Sequence, residues 1–225
     1  MSFVLAFDCA VSGLGVAVLS DGVCLASHRE EGRDQAARLL PAIASVLQEA
    51  GVERRALSLI AVTIGPGSFT GVRVGLAAAR GLAVALGVPL AGVATTATLL
   101  AQAGRRDRLV AAAIDSRLGD WFCALGEDGG EGQSGPFLAS TAELARRLKN
   151  RPSLVVGPQA ETLVLSLERA IAQVALPDPV AVARLALADG VEAWRVRNRT
   201  EGLPRPLYLR GVNVTSPDGT RRTVD

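Results

Sequence analysis

Apolar residues cluster in three short runs at the start of the chain, residues 3–8, 15–19 and 24–28, and Asp21-Gly22 supplies the left-handed turn that a two-residue hairpin needs. A β-meander is predicted. After Asp34, a candidate helix cap, Ala36, Leu39, Leu40, Ile43, Val46, Leu47 and Ala50 recur at helical spacing until Gly51. Pro41 lies within that helix and is expected to kink it. Residues 57–64 are almost wholly apolar, as in a strand covered on both faces. A helix over 71–86, a strand over 90–93 and a helix over 95–103 complete an alternating unit.

Arg105-Arg106-Asp107-Arg108 then interrupts the pattern with charge. This run marks the expected boundary between an N-terminal lobe, 1–104, and a C-terminal lobe, 105–225. The order of elements starts again behind it: strand 109–114 ending in Asp115, strand 121–125, a turn at Asp128-Gly129-Gly130, helix 141–148, strand 154–156 with Gly157-Pro158, and helix 161–172. Asp115 stands where Asp8 stood. An α/β fold with duplicated βββαβα units is predicted, the two-lobe ribonuclease H-like architecture of actin, Hsp70 and the sugar kinases. A helix over 180–188, an arginine-rich stretch and a strand over 207–209 follow.

Composition narrows the chemistry. Of 225 residues, 49% are apolar and 20% charged, enough for a large core without disulfides or structural metals. The 24 Lys+Arg include one lysine, Lys149, far from any glycine loop, which excludes a lysine-dependent phosphate loop. His28 is the one histidine, and Cys9, Cys24 and Cys123 lack zinc-ligand spacing. An odd cysteine count and a start without a basic leader lead to an expectation of a cytoplasmic protein. Residues 81–104 are uncharged, but Gly87-Val88-Pro89 breaks them, so no membrane span is expected. A net charge of +2 is too mild to demand nucleic acid as a partner.

Gly65-Pro66-Gly67-Ser68-Phe69-Thr70-Gly71-Val72-Arg73-Val74-Gly75, between a strand and a helix, is the most distinctive segment. Its glycines could let backbone N–H groups approach an anion, with Ser68 or Thr70 donating and Arg73 closing over it. The same glycines also suit a tight turn with Thr70 as helix cap. Asp8 and Asp115 could form a pair around Mg²⁺ and phosphate, or cap turns. Gly71, Gly75, Ala78, Ala79, Leu82 and Ala83 line one side of the following helix, which permits close approach of another helix within the chain or outside it. His28 has no nucleophile motif to serve. Arg195, Arg197, Arg199, Arg205, Arg210, Arg221 and Arg222 suit RNA, an acidic partner or solvent; Trp194 and Tyr208 are the aromatics nearby.

At residues 64–75 the sequence closely resembles the bacterial TsaB (YeaZ) family, and Asp8, Leu39-Leu40-Pro41, Ile114-Asp115-Ser116-Arg117 with Gly119, and Leu207-Tyr208-Leu209-Arg210 also resemble family elements. The resemblance implies a non-catalytic scaffold for tRNA threonylcarbamoyladenosine synthesis. It would bind a TsaD-like paralogue, with a TsaE-like ATPase and tRNA joining through the complex, and would form a homodimer alone. The implied partner surface is Leu39, Leu40, Ile43, Gly71, Val72, Gly75, Ala78, Ala79 and Leu82. No cofactor of its own is implied beyond weak ATP or ADP with Mg²⁺ at the partner interface, for which Asp8, Gly65, Gly67, Ser68, Thr70, Arg73 and Asp115 are the candidates. Cys9 stands where the family commonly has Thr or Ser, and Gln35 where it often has His. The contrasting reading is an actin-like phosphotransferase built on Asp8, Asp115 and the glycine loop.

Overall fold

The computed structural model describes residues 2–103, 108–126, 134–149 and 151–210, together with the backbone of residues 212–215 and 221–224. Arg105, Arg106, Asp107 and the Asp128-Gly129-Gly130 turn lie outside the described residues, as do the side chains of Arg221 and Arg222.

Strands β1 (Phe3–Asp8), β2 (Leu14–Ser20) and β3 (Val23–Glu30) form the meander. They are followed by α1 (Gln35–Glu49), β4 (Leu57–Thr63), α2 (Phe69–Leu86), β5 (Leu90–Val93) and α3 (Thr95–Ala101). The second unit holds β6 (Leu109–Asp115), β7 (Trp121–Gly126), β8 (Phe137–Ala139), α4 (Thr141–Leu148), β9 (Ser153–Gly157), α5 (Ala160–Val164) and β10 (Ala170–Val174). The two sheets have matching orders, β3-β2-β1-β4-β5 and β8-β7-β6-β9-β10. In each, the meander is antiparallel and the later strands are parallel. The duplicated two-lobe α/β order is therefore present.

Period-2 alternation puts Leu5 and Phe7 of β1 on one face and Val4 and Ala6 on the other. The first face packs under α1 and α2 through Leu39, Ile43, Val46, Leu76 and Ala79. The second is covered by α6 (Pro179–Asp189), whose Val182, Ala183 and Ala186 are fully buried. Across the lobes, α3 covers one face of the second sheet: Leu99 packs on Val110, Ala112, Ile114 and Val156. Each sheet thus takes its inner helix from beyond its own unit. Gln102 pins the exchange, accepting from Asp178 N at 3.0 Å and donating to Leu176 O at 2.9 Å. Residues 180–187 thus pack against the first sheet although they follow the charged run at 105–108 in sequence.

Two helical expectations also change. Residues 161–172 divide into the short α5 and the strand β10, because Arg169 takes a left-handed φ of 55° and the Ala-rich segment after it pairs in parallel with β9. Residues 207–209 form no strand; Leu207 N instead donates to Ile64 O at 2.8 Å in a strap across the first lobe. The helix α1 continues past Pro41. Helix α7 (Val191–Thr200) seals the free edge of β5, where Asn198 Oδ1 accepts from Leu90 N at 2.7 Å and its Nδ2 donates to Leu90 O at 3.0 Å. The last strands, β11 (Val212–Thr215) and β12 (Arg221–Val224), form an antiparallel pair.

Candidate functional site

Helix α2 starts at Phe69, two residues before the expected Gly71. Ser68 is its cap, accepting from Gly71 N at 3.2 Å, while Thr70 is exposed. The glycines before and within this turn are explained by the chain's own backbone. A Cβ on Gly67 would lie 2.1 Å from Ala10 O, and one on Gly71 would lie 1.9 Å from Cys9 O. Ser68 N donates to Ala10 O at 2.6 Å. The loop is therefore closed over the β1–β2 turn by direct backbone contact, with Ser68 and not Thr70 as the helix cap.

Asp8 is sealed beneath that contact at 1% exposure. Its Oδ1 accepts from Ala10 N at 3.0 Å and from Thr63 Oγ1 at 2.5 Å, while burial pushes its pKa up. Its Oδ2 is buried with no hydrogen-bond partner, and no two further acidic, cysteine or histidine side chains join it in a cluster among the described residues. Asp115 is half-buried at the end of β6, where its Oδ1 accepts from Arg117 N at 2.7 Å in a local turn. Among the described residues no group of three or more His, Cys, Asp or Glu could hold a metal ion. Burial also raises the Cys9 thiol and lifts that of Cys123 to about 12, which leaves both unreactive. Arg73 does not close over the loop. Its guanidinium lies 3.5 Å from the Phe69 ring centroid, and its Nε donates to Tyr208 Oη at 2.9 Å.

The residues of the expected partner stripe lie mostly against the first sheet. Leu39, Ile43, Gly71, Val72, Gly75 and Ala79 are buried in the first lobe, and a Cβ on Gly75 would meet Val62 at 3.4 Å and Cys9 at 3.6 Å. Ala78 and Leu82 are half-buried, and Leu40 alone of that set is exposed, at 55%. The small residues on this side bring α2 onto its own sheet. The opposite side of the same helix carries Ala77, Gly81, Val84 and Ala85, all exposed, and Gly81 has no atom within 4 Å of its Cβ position. On the neighbouring α1, Leu40 and Ala44 are exposed as well. The two charges of α2 share this side of the helix, one turn from Ala77 and Val84, and both are engaged within the chain: Arg73 is stacked on Phe69, and Arg80 donates to Pro204 O at 2.6 Å. Sequence reasoning missed this outer face because α2 is apolar nearly all round, so periodicity alone could not orient it.

A family described as TsaD, tRNA N6-adenosine threonylcarbamoyltransferase, matches residues 26–150. The tRNA threonylcarbamoyladenosine biosynthesis protein TsaB of Escherichia coli is 37% identical over 123 residues, 54% of this chain and 53% of that protein. Its Bacillus subtilis counterpart is 33% identical over 123 residues, 54% of each chain. The chain thus aligns with about half the length of these curated relatives. Over a longer span, the solved structure of YeaZ from Pseudomonas aeruginosa is 31% identical, with a TM-score of 0.75 and coverage of 93% of this chain and 100% of that one. Sequence and fold agree across nearly the whole length, and the chain belongs to the TsaB (YeaZ) family.

Proposed function

We propose that this protein is the non-catalytic scaffold subunit of the machinery that makes threonylcarbamoyladenosine on tRNA, binding and activating a TsaD-like threonylcarbamoyl transferase in the cytoplasm. A TsaE-like ATPase and the tRNA join through that complex. In isolation the same surface pairs two copies of the chain, and the subunit needs no cofactor of its own, any ATP or ADP with Mg²⁺ sitting weakly at the partner interface. The observation that carries this reading is the outer side of α1 and α2, where Leu40, Ala44, Ala77, Gly81, Val84 and Ala85 are open to solvent and the neighbouring Arg73 and Arg80 are engaged by Phe69 and Pro204. Small exposed apolar side chains beside arginines already held within the chain suit close helix packing by another subunit. Phosphotransfer, the contrasting reading, requires Asp8 at a metal, and the burial of Asp8 speaks against it.

Gly81→Arg tests the scaffold role. Its side chain enters open space in the free protein, so circular dichroism should be unchanged and the melting temperature should not fall. Burying the unpaired guanidinium under a partner costs about 3 kcal/mol or more, which should abolish co-elution with the TsaD-like subunit and the complex's transfer of threonylcarbamoyl to tRNA. Undiminished co-elution of this variant would overturn the reading.

A further inference from the structure

Phe69, Leu118 and Tyr208 come from three distant parts of the chain, remain 46%, 70% and 40% exposed, and line one cleft of about 300 Å³. Val72, Phe122 and Leu207 contribute further apolar lining, so the cleft spans both lobes and the C-terminal strap. The rings of Phe69 and Tyr208 lie 5.7 Å apart at 28°, with the Arg73 guanidinium over one face of Phe69 and its Nε donating to Tyr208 Oη, which leaves the opposite face of Phe69 for a ligand. Positive charge frames the cleft. Arg73 stands beside the rings, exposed Arg117 precedes Leu118 in the β6–β7 turn, and Arg210 ion-pairs with Asp120. The carboxylates here are engaged: Asp115 accepts the Arg117 N–H, and Asp120 meets both Arg210 and Ser116.

We propose that this cleft binds one unstacked base of single-stranded RNA, packed on the Phe69–Tyr208 pair and Leu118, with the adjoining phosphates held by Arg73 and Arg117. Flat aromatic faces beside planar guanidiniums are the combination that takes bases without reading their sequence, and a cleft of this size admits one base but not a duplex. The choice of RNA over other polyanions rests on the proposed role in tRNA modification, whereas the stacking geometry stands without it. An acidic peptide with an apolar anchor is the competing occupant.

The full-length protein is titrated with a fluorescein-labelled, unstructured ten-nucleotide oligoribonucleotide, and anisotropy is read at several salt concentrations. Leu118→Ser and Phe69→Ala should each weaken binding at least about fivefold, while Arg73→Gln and Arg117→Gln should lower the salt dependence. Irradiation of a 5-bromouridine probe should attach it to the peptide carrying Phe69 or Tyr208. Circular dichroism confirms that each variant is folded, and co-elution with the TsaD-like subunit, which Leu118→Ser should leave intact, is measured separately. A wild-type protein that binds RNA but not the TsaD-like subunit would sink the scaffold role and leave the cleft assignment standing. The assignment is overturned if the oligoribonucleotide does not bind, if binding ignores Leu118→Ser and Phe69→Ala and so reflects only a basic surface, or if an acidic phenylalanine-centred hexapeptide binds the cleft in its stead.

Discussion

Gly71 and Gly81 stand on the same helix, and a methyl group added to each would meet very different surroundings. At Gly71 it would come within 1.9 Å of the Cys9 carbonyl oxygen, whereas at Gly81 nothing lies within 4 Å. The inward glycine exists because two segments of one chain touch there. The outward one meets no such demand from the fold, and in an exposed helix interior it costs stability relative to alanine. Identical residue types on one helix therefore answer to different causes, and what a side chain would strike separates them.

The contrast can be broken most forcefully at Gly71. Gly71→Ala should lower the free energy of unfolding by about 2–3 kcal/mol, because the Cβ must push two backbones apart, and denaturant titration reads this as an earlier midpoint. An unchanged midpoint would mean that the loop does not rest on the β1–β2 turn. A smaller effect is expected from Asp8 beneath the same contact. Its folded pKa is raised above the ordinary 3.8, so between that pH and the folded value the native state holds more protons than the unfolded chain. Stability contributed by the protonated carboxyl is thus fully present below about pH 3.8 and falls as pH rises through the folded value. Melting temperatures of Asp8→Asn, compared with wild type from pH 4 upward, should show that decline flattened; parallel curves would contradict a sealed Asp8. The smallest change belongs to the outer face, where Gly81→Ala should raise stability by about 0.5–1 kcal/mol through helix propensity alone. A loss there would reveal an inward contact.

Strand order was legible because β1, β4 and β6 are continuous apolar runs and the helices between them keep a 3.6-residue repeat. β8 has only three residues, and β10 is written in alanine and glutamine, so its identity depends on pairing with β9. For the candidate site, the sequence marked residues 65–75 as a place where glycine matters but carried no sign of which backbone approaches. Nor could any local pattern join Phe69 to Tyr208, which meet only because the strap returns across Ile64. The edge of β5 was equally silent, since its cover is the side chain of Asn198 on α7.

The crossed placement of α3 and α6 sets a schedule for synthesis. While the ribosome is still making the second sheet, Val4, Ala6, Leu59 and Ala61 have no lid, because the residues that cover them sit at Val182, Ala183 and Ala186. The nascent first half therefore carries a bare oily plane until most of the protein has been translated, and a message cut short near codon 170 would yield a product prone to clump. Neither half is a module that evolution or an engineer could lift out intact.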